Sequence, residues 1–334
     1  MDPTNRRRFI MIKIGIVGAG GMGTVHHSNY SHMEDCRVVA VVGQTKQDEE
    51  RAKEWGVPLY RDVDSMLDRE EIDVVDVCTP TFLHKEHVLK ALARSKHTIT
   101  EKPIALKALD AKEMFALARE KGVQLFVGQV LRFYRESQIL REIVKDQRYG
   151  KVLDASFERL SACPRWAQGG WLFDKTKSGH LPFDLHIHDL DLMVSLFGKP
   201  EEFRFTSCGN SDRDYKEQYR FFYRYKDFNV VAEAAWFNAD IPFTARWRVY
   251  FENAVVINDG IKMTAYQFDR EPFVFDTEEK IKIPTGINVP PTGVYLEELE
   301  HFMDCVRRNR PSEIVKEDGI MAVIEILEQI SKES

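Results

Sequence analysis

The first chemical signal in this chain is a pair of strand ends. Gly18-Ala19-Gly20-Gly21-Met22-Gly23 follows the apolar run Ile12, Ile14, Ile16 and Val17, and further on Glu101-Lys102-Pro103 follows the short β-branched run Thr98-Ile99-Thr100. A G-x-G-x-x-G turn between a strand and a helix lets the backbone approach a pyrophosphate and points the free N–H groups of a helix start at it. The pattern predicts that Gly18, Gly20, Gly21, Met22 and Gly23 hold a dinucleotide. Glu101 and Lys102 would border the same crevice, with the lysine aimed at whatever a nicotinamide oxidises or reduces.

The end of the second strand should read the adenosine ribose. Asp or Glu there favours NAD, whereas a missing acid with a nearby cation favours NADP. The residues are Gly43-Gln44-Thr45-Lys46, without an acid. Lys46 meeting a 2′-phosphate tilts the expectation towards NADP. The alternative is a solvated Lys46, with Gln44 or Thr45 bonding the ribose of either cofactor. Cys78-Thr79-Pro80-Thr81-Phe82-Leu83-His84 lies where another strand turns into a helix. Thr79, Pro80 and His84 should therefore face the cofactor, helix capping being the other role open to His84.

A second constellation is Gly179-His180-Leu181-Pro182-Phe183-Asp184-Leu185-His186-Ile187-His188-Asp189-Leu190-Asp191. Pro182 suits the first turn of a helix. On it Asp184, His188 and Asp191 fall at i, i+4 and i+7 and share a face. An aspartate one turn before a histidine can orient the imidazole as a general base requires; ordinary surface charge pairs are the competing explanation. His180, His186 and His188 lack the spacing of a closed metal site, and no metal is expected. Arg165, Trp166 and Trp171 precede this helix and are candidates to meet a substrate, plain packing or surface placement being the alternative for each.

These residues need a scaffold. Up to about Gln129, short apolar strands (Ile12–Val17, Arg37–Val42, Val74–Cys78, His97–Thr100, Val123–Val127) alternate with helical patterns (Met22–Met33, Gln47–Trp55, Leu83–Ser95, Ala108–Lys121). That alternation predicts a parallel α/β sheet. A helix over Glu136–Lys145 follows, and then the period changes to two. Val152–Leu160, Glu202–Cys208, Glu217–Tyr225, Asn229–Phe237, Phe243–Phe251 and Ala254–Ile257 predict a mainly antiparallel sheet. Its second face, with Arg220, Phe222, Arg224, Arg246, Arg248 and Tyr250, suits an interface better than solvent. Glu297–Arg308 and Asp318–Ser331 read as closing helices. The division expected is residues 1–128 and 129–334, with 1–10 a disordered extension and Met11 a candidate start.

Bulk properties exclude several classes. The 334 residues are 43% hydrophobic and 30% charged with a net charge of −6, which gives no reason to bind nucleic acid or anionic lipid. Five dispersed cysteines suit a reduced cytoplasmic protein. No apolar run approaches the roughly 20 residues of a membrane span. Arg6-Arg7-Arg8 resembles a twin-arginine export motif, but cleavage after the apolar stretch that follows would destroy the first strand.

Read in order, GIVGAGGMGTVH with His26, VCTPTFLH, Glu101-Lys102-Pro103, Arg132-Phe133, Trp171, SGHLPFDLHIHDLD and YLEELEHFMDCV make the chain resemble the Gfo/Idh/MocA oxidoreductases over nearly its whole length. The resemblance implies a Rossmann dinucleotide-binding domain followed by an α+β domain with an open, mainly antiparallel sheet. It implies Lys102 as the active-site lysine, Asp184 with His188 as the acid/base pair, and Asp191 as support for their helix. Lys102, Arg132, Trp166, Asp184 and His188 are expected to meet substrate. The implied activity is NAD(P)-dependent transfer of a hydride to or from a sugar, inositol or related polyol, in a homodimer or homotetramer. Cofactor-retaining glycoside hydrolysis and dinucleotide-binding regulation without catalysis are the alternatives. His180 stands where many members carry glycine.

Overall fold

The computed structural model describes residues 11–165, 167–287 and 289–334. The arginine triplet at 6–8, the expected extension and Trp166 lie outside the described residues. Six parallel strands form the first sheet: β1 (Ile12–Val17), β2 (Cys36–Val42), β3 (Leu59–Tyr60), β4 (Val74–Val77), β5 (His97–Glu101) and β6 (Leu125–Gly128), in the order β3-β2-β1-β4-β5-β6. Helices α1 (Gly21–Tyr30), α2 (Lys46–Trp55), α3 (Val63–Arg69), α4 (His84–Ala93) and α5 (Ala108–Lys121) connect them. Ile14, Ile16, Val74, Val75 and Val77 are fully buried, as strands covered on both faces require. The order reverses between β1 and β4, so the ligand crevice opens at their C-terminal ends. Gly18, Cys78-Thr79 and Lys102 stand at or next to those ends.

Beyond α6 (Arg135–Lys145) lies an eight-stranded sheet. Its strands are β7 (Val152–Ala162), β8 (Glu202–Cys208), β9 (Gln218–Arg224), β10 (Asn229–Phe237), β11 (Thr244–Phe251), β12 (Ala254–Asn258), β13 (Met263–Tyr266) and β14 (Phe273–Val274). They run β14-β13-β12-β11-β7-β10-β9-β8 and pair antiparallel except β7 with β10. Tyr219, Phe221, Tyr223, Trp247, Val249 and Phe251 are buried on one face, the alternation that period two anticipates. The other face carries Arg220, Arg246, Arg248 and Tyr250, all exposed, with Arg246 paired to Glu158 at 2.7 Å and Arg204 over the Phe222 ring at 4.7 Å.

Between β7 and β8 run α7 (Lys175–Ser178) and α8 (Ile187–Phe197), and the chain ends with α9 (Val294–Arg307) and α10 (Glu317–Glu333). The last two helices return to the first sheet. Phe302 stacks on Phe126 with centroids 4.9 Å apart, Arg119 pairs with Glu317 at 2.6 Å, and Glu328 accepts the Ala108 N–H at 2.9 Å. Helices from the C-terminal stretch thus complete the first sheet's layer. No helix among the described residues is long and apolar enough to cross a membrane.

Two buried arginines hold α8 from opposite sides. Arg132 Nε and Nη2 donate to the two oxygens of Asp191 at 2.8 and 2.6 Å, and Arg159 Nε and Nη2 donate to those of Asp189 at 3.0 and 2.8 Å. Such forks fix orientation as well as charge. Removing one partner strands the other, because Asp191 is fully buried. Arg132→Met is therefore expected to cost about 3–5 kcal/mol of stability, read from urea unfolding. A loss no larger than the ~1 kcal/mol typical of a surface pair would refute this anchoring.

Candidate active site

The glycine turn is built for a close ligand. Gly18 has φ +92°, a conformation that disfavours side chains, and a Cβ on Gly23 would lie 2.0 Å from the Gly18 carbonyl oxygen. Gly20 has open space where its Cβ would be, and it precedes α1 without any side-chain cap, leaving the first N–H groups of the helix free. These features fit a dinucleotide pyrophosphate. A methyl of Ile287 lies 3.0 Å from the Cβ position of Gly21, so a loop from the second half of the chain reaches this turn.

The end of β2 departs from the simple absence of an acid. Asp48, on the first turn of α2, folds back and is buried. Its carboxylate accepts the N–H groups of Ala19 at 2.8 Å, Gln44 at 3.0 Å and Thr45 at 2.8 Å. An acid is present, but it clamps the glycine turn to the β2 loop. Gly43 gives it room: a Cβ there would lie 2.3 Å from that of Asp48. Gln44 is exposed, and its amide donates to the Arg61 carbonyl. Lys46 is 88% exposed with Glu50 3.9 Å away, and Arg61 reaches the Gly43 carbonyl at 3.3 Å while pairing with Glu49.

Three expected contacts turn inward. His84 is buried, and the carbonyls of Pro103 and Thr79 lie 2.8 and 2.7 Å from its ring nitrogens. It therefore links two strand-end turns and does not face the crevice. Glu101 is buried, with Oε1 3.1 Å from His26 Nε2 and Oε2 accepting the Lys102 N–H at 3.1 Å. Arg132 is buried, its guanidinium spent on Asp191 and on the Ile314 carbonyl at 2.8 Å. None of the three side chains is free to bind substrate or cofactor. Thr79 and Pro80 stay partly exposed at the end of β4, and the Thr79 hydroxyl is a buried oxygen without a partner.

Lys102 crosses from the first sheet to the second half of the chain. Its Nζ donates to the Asp184 carbonyl at 2.7 Å and to Asp184 Oδ1 at 3.3 Å, and the two side chains are 16% and 27% exposed. The helix carrying Asp184 opens with a π turn over Pro182–His186. Asp184 bonds Lys102 and no hydrogen bond joins it to His188, so the expected Asp184–His188 contact is replaced by Asp184–Lys102. His188 Nδ1 is sealed from solvent without a partner, although the residue is partly exposed, which leaves Nε2 as the nitrogen open to a ligand. Burial, then Lys102 and Arg159, hold His188 well below the ordinary histidine range, so the ring is neutral.

The other two histidines are structural. His186 stacks on Phe221 at 3.8 Å and lies 2.6 Å from the Tyr223 hydroxyl, and burial pushes its pKa down to about 3. His180 has φ +61°, which explains why glycine suits that position. Arg165 is exposed and donates to Asn238 at 3.0 Å, while Trp171 is partly exposed. Sequence reasoning missed His26, Asp48 and Phe243. The last is 53% exposed beside Arg159, whose guanidinium lies 5.9 Å from its ring.

Residues 12–129 match the model of an oxidoreductase family with an NAD-binding Rossmann fold, and residues 137–257 match the GFO/IDH/MocA C-terminal domain. The chain belongs to the Gfo/Idh/MocA oxidoreductase family. It is similar to 2,7-anhydro-N-acetylneuraminate hydratase of Escherichia coli (strain K12), 32% identical over 193 residues that make up 58% of this chain and 51% of that one. It is also similar to myo-inositol 2-dehydrogenase of Thermotoga maritima, 25% identical over 344 residues, 94% of this chain and 93% of that one. The solved structure of levoglucosan dehydrogenase in complex with NADH and levoglucosan shares the fold, with a TM-score of 0.82 at 19% identity over 97% of this chain and 98% of that one. The chain spans about half the length of several curated relatives that it matches.

A Gfo/Idh/MocA site with this electrostatic arrangement has a checkable signature. A depressed histidine pKa means the ring stays neutral as pH falls through the ordinary value of 6.5 and charges only below it. Histidine ring NMR should show His188 titrating clearly below that value, and Lys102→Met should move it up by removing a cationic neighbour. Titration at or above 6.5 in the unmutated protein would contradict the arrangement.

Proposed function

We propose that this chain is an NAD(P)-dependent dehydrogenase or reductase acting on a secondary alcohol, or its ketone, of a sugar, inositol or related polyol. The observation that carries the reading is the meeting of Lys102 Nζ with Asp184 close to a neutral His188, across the junction of the two sheets. The names of the inositol and levoglucosan enzymes support the substrate class.

Gly18, Gly20, Gly21, Met22 and Gly23 would hold the dinucleotide, which when bound exchanges a hydride at its nicotinamide. In the oxidative direction His188 Nε2 takes the proton of the substrate hydroxyl, a role that needs the neutral ring. Lys102 donates to the same oxygen and stabilises the negative charge that grows on it in the transition state. Asp184, bonded to Lys102 through both carbonyl and carboxylate, holds the ammonium in place. On this reading Lys102→Met lowers kcat by on the order of 10²–10⁴, with dinucleotide affinity changed much less. Turnover within about threefold of the parent would end the catalytic role; a lowered melting temperature with weaker binding of both ligands would make Lys102 a structural residue.

A second reading is favoured by one relative, whose activity is named as a hydration. In it the cofactor stays bound and the net reaction is not an oxidation. A panel of polyols, anhydro sugars and aryl glycosides, run with and without added nucleotide, separates the two. Only a dehydrogenase reduces added NAD or NADP in proportion to product. The intact set of Lys102, Asp184 and His188 argues against a sensor without catalysis.

For the cofactor we favour NADP. Asp48 is committed to three N–H groups, leaving no free acid at the ribose position, and Lys46 is exposed beside it. NADPH should bind more tightly than NADH in fluorescence titrations, and Lys46→Ala should narrow the gap. Equal or tighter NADH binding would end the preference.

We also favour a homodimer or homotetramer formed through the outer face of the eight-stranded sheet. Val231 and Tyr250 are 41% and 45% exposed there among paired arginines, a mixture suited to a wet interface. Light scattering at micromolar concentration should give at least twice the chain mass; a monomer would count against this assembly. Five thiols without a disulfide fit a cytoplasmic location.

A further inference from the structure

Directly beneath Lys102 lies a buried polar cluster that the chemistry above does not use. At its centre is His26 on α1, with no exposed surface. Its Nδ1 is 2.8 Å from Asp76 Oδ2 and its Nε2 is 3.1 Å from Glu101 Oε1. Asp76 faces it from β4 and Cys78 from just beyond that strand, Glu101 from β5, Tyr30 from its own helix, and Tyr295 and Glu298 from α9. Tyr30 also donates to Asp76 Oδ2, at 2.8 Å. A neutral imidazole has one N–H, and both nitrogens here face carboxylate oxygens, a setting that favours the doubly protonated ring. The charges agree. Burial alone would lower the His26 pKa, but Asp76 and Cys78 outweigh it and hold it well above the ordinary value. Glu298, buried with neither oxygen bonded, is pushed well up by burial and by Glu101, so it adds no third negative charge.

Glu101 is the link to the site. One oxygen meets His26 and the other accepts the backbone N–H of Lys102. Gly128 on β6 makes room for it: a Cβ there would lie 2.9 Å from Glu101 Oε1. Without a donor at Oε1 the buried carboxylate would turn towards other partners, and the backbone bond it makes would go with it.

We propose that His26 is a positioning residue for Lys102: the N–H at its Nε2 fixes Glu101, and Glu101 fixes the backbone from which the lysine reaches Asp184. This rests on the catalytic role of Lys102 proposed above. The cluster is then a rigid support that sets the ammonium to within the fraction of an ångström that a reacting oxygen demands.

Two substitutions divide the two contacts. The amide of His26→Asn sits where Nδ1 does and can serve Asp76, whereas that of His26→Gln sits where Nε2 does and can serve Glu101. His26→Gln should keep kcat within about threefold of the parent on whichever polyol the parent turns over. His26→Asn should lower kcat by about 10- to 100-fold, with KM and NADPH or NADH affinity changed by no more than about threefold. A merely structural histidine would give both variants the same loss of urea stability and neither a selective fall in kcat. Should His26→Asn fail to fold, ¹⁵N NMR of histidine-labelled parent protein, assigned with His26→Gln, decides at about pH 8. A ring protonated at Nε2 is expected, and an Nε2 without its proton overturns the proposal. Equal kcat in the two variants, or His26→Asn at parental turnover, also overturns it. If Lys102→Met keeps parental turnover, the catalytic reading itself fails; if Lys102→Met is inactive and His26→Asn is not, only the positioning role fails.

Discussion

One ion pair joins the two halves of this molecule at the place where chemistry is proposed. Lys102 extends from the last residues of a parallel strand, Asp184 lies in the first turn of a helix on the other sheet, and the ammonium bonds both carbonyl and carboxylate of that aspartate. A partly buried pair contributes little net stability, because desolvation offsets much of the attraction. The pair therefore cannot by itself hold the two halves in register. The scaffold must do so, and α9 and α10, which return to the first sheet, make the two halves one packed body. The geometry of the site is a consequence of that packing.

The helix bearing Asp184 shows how the surrounding charges are allotted. Asp184 is taken by Lys102, Asp189 by Arg159, Asp191 by Arg132, and His186 by the Tyr223 hydroxyl. His188 alone among the ionisable groups of this stretch has no bonded partner. A carboxylate beside it would have raised its pKa, whereas burial with Lys102 and Arg159 nearby does the reverse. Commitment of every neighbouring acid to a cation is what leaves one neutral base facing the cleft. A pair such as Arg132 with Asp191 thus acts on the site twice, by anchoring α8 and by removing a negative charge from its surroundings.

Much of this was legible in the sequence because it is local. Strands β1 and β4 are short, mainly apolar runs and β5 carries the β-branched run Thr98-Ile99-Thr100, each with a turn behind it, and β9, β10 and β11 alternate with period two, so their type and face follow from neighbours in the chain. The glycine turn is likewise a local constraint, since Gly18 and Gly23 are demanded by φ and by close backbone approach. What escaped was short or long-range. β3 and β14 have two residues each, and α3 buries only Val63 and Met66, too few to set a period. The contacts from His26 to Asp76 and Glu101, from Asp48 to Ala19 and from Arg132 to Asp191 join residues far apart in the chain. For that reason Glu101, His84 and Arg132 stood among the expected ligands when their partners lie inside the protein.

The π turn shows how much a single local irregularity can decide. On a regular α-helix Asp184 and His188 would lie one turn apart and could pair, giving a histidine with a raised pKa and a lysine with no acid to meet. Pro182 brings no N–H of its own to the helix start, and the Ile187 N–H reaches the Pro182 carbonyl five residues back. Asp184 becomes available to the lysine of the other sheet, and His188 is left without an anion. The same residues in a regular helix would make a different acid–base site, so the chemistry proposed for this chain depends on backbone geometry as directly as on residue type.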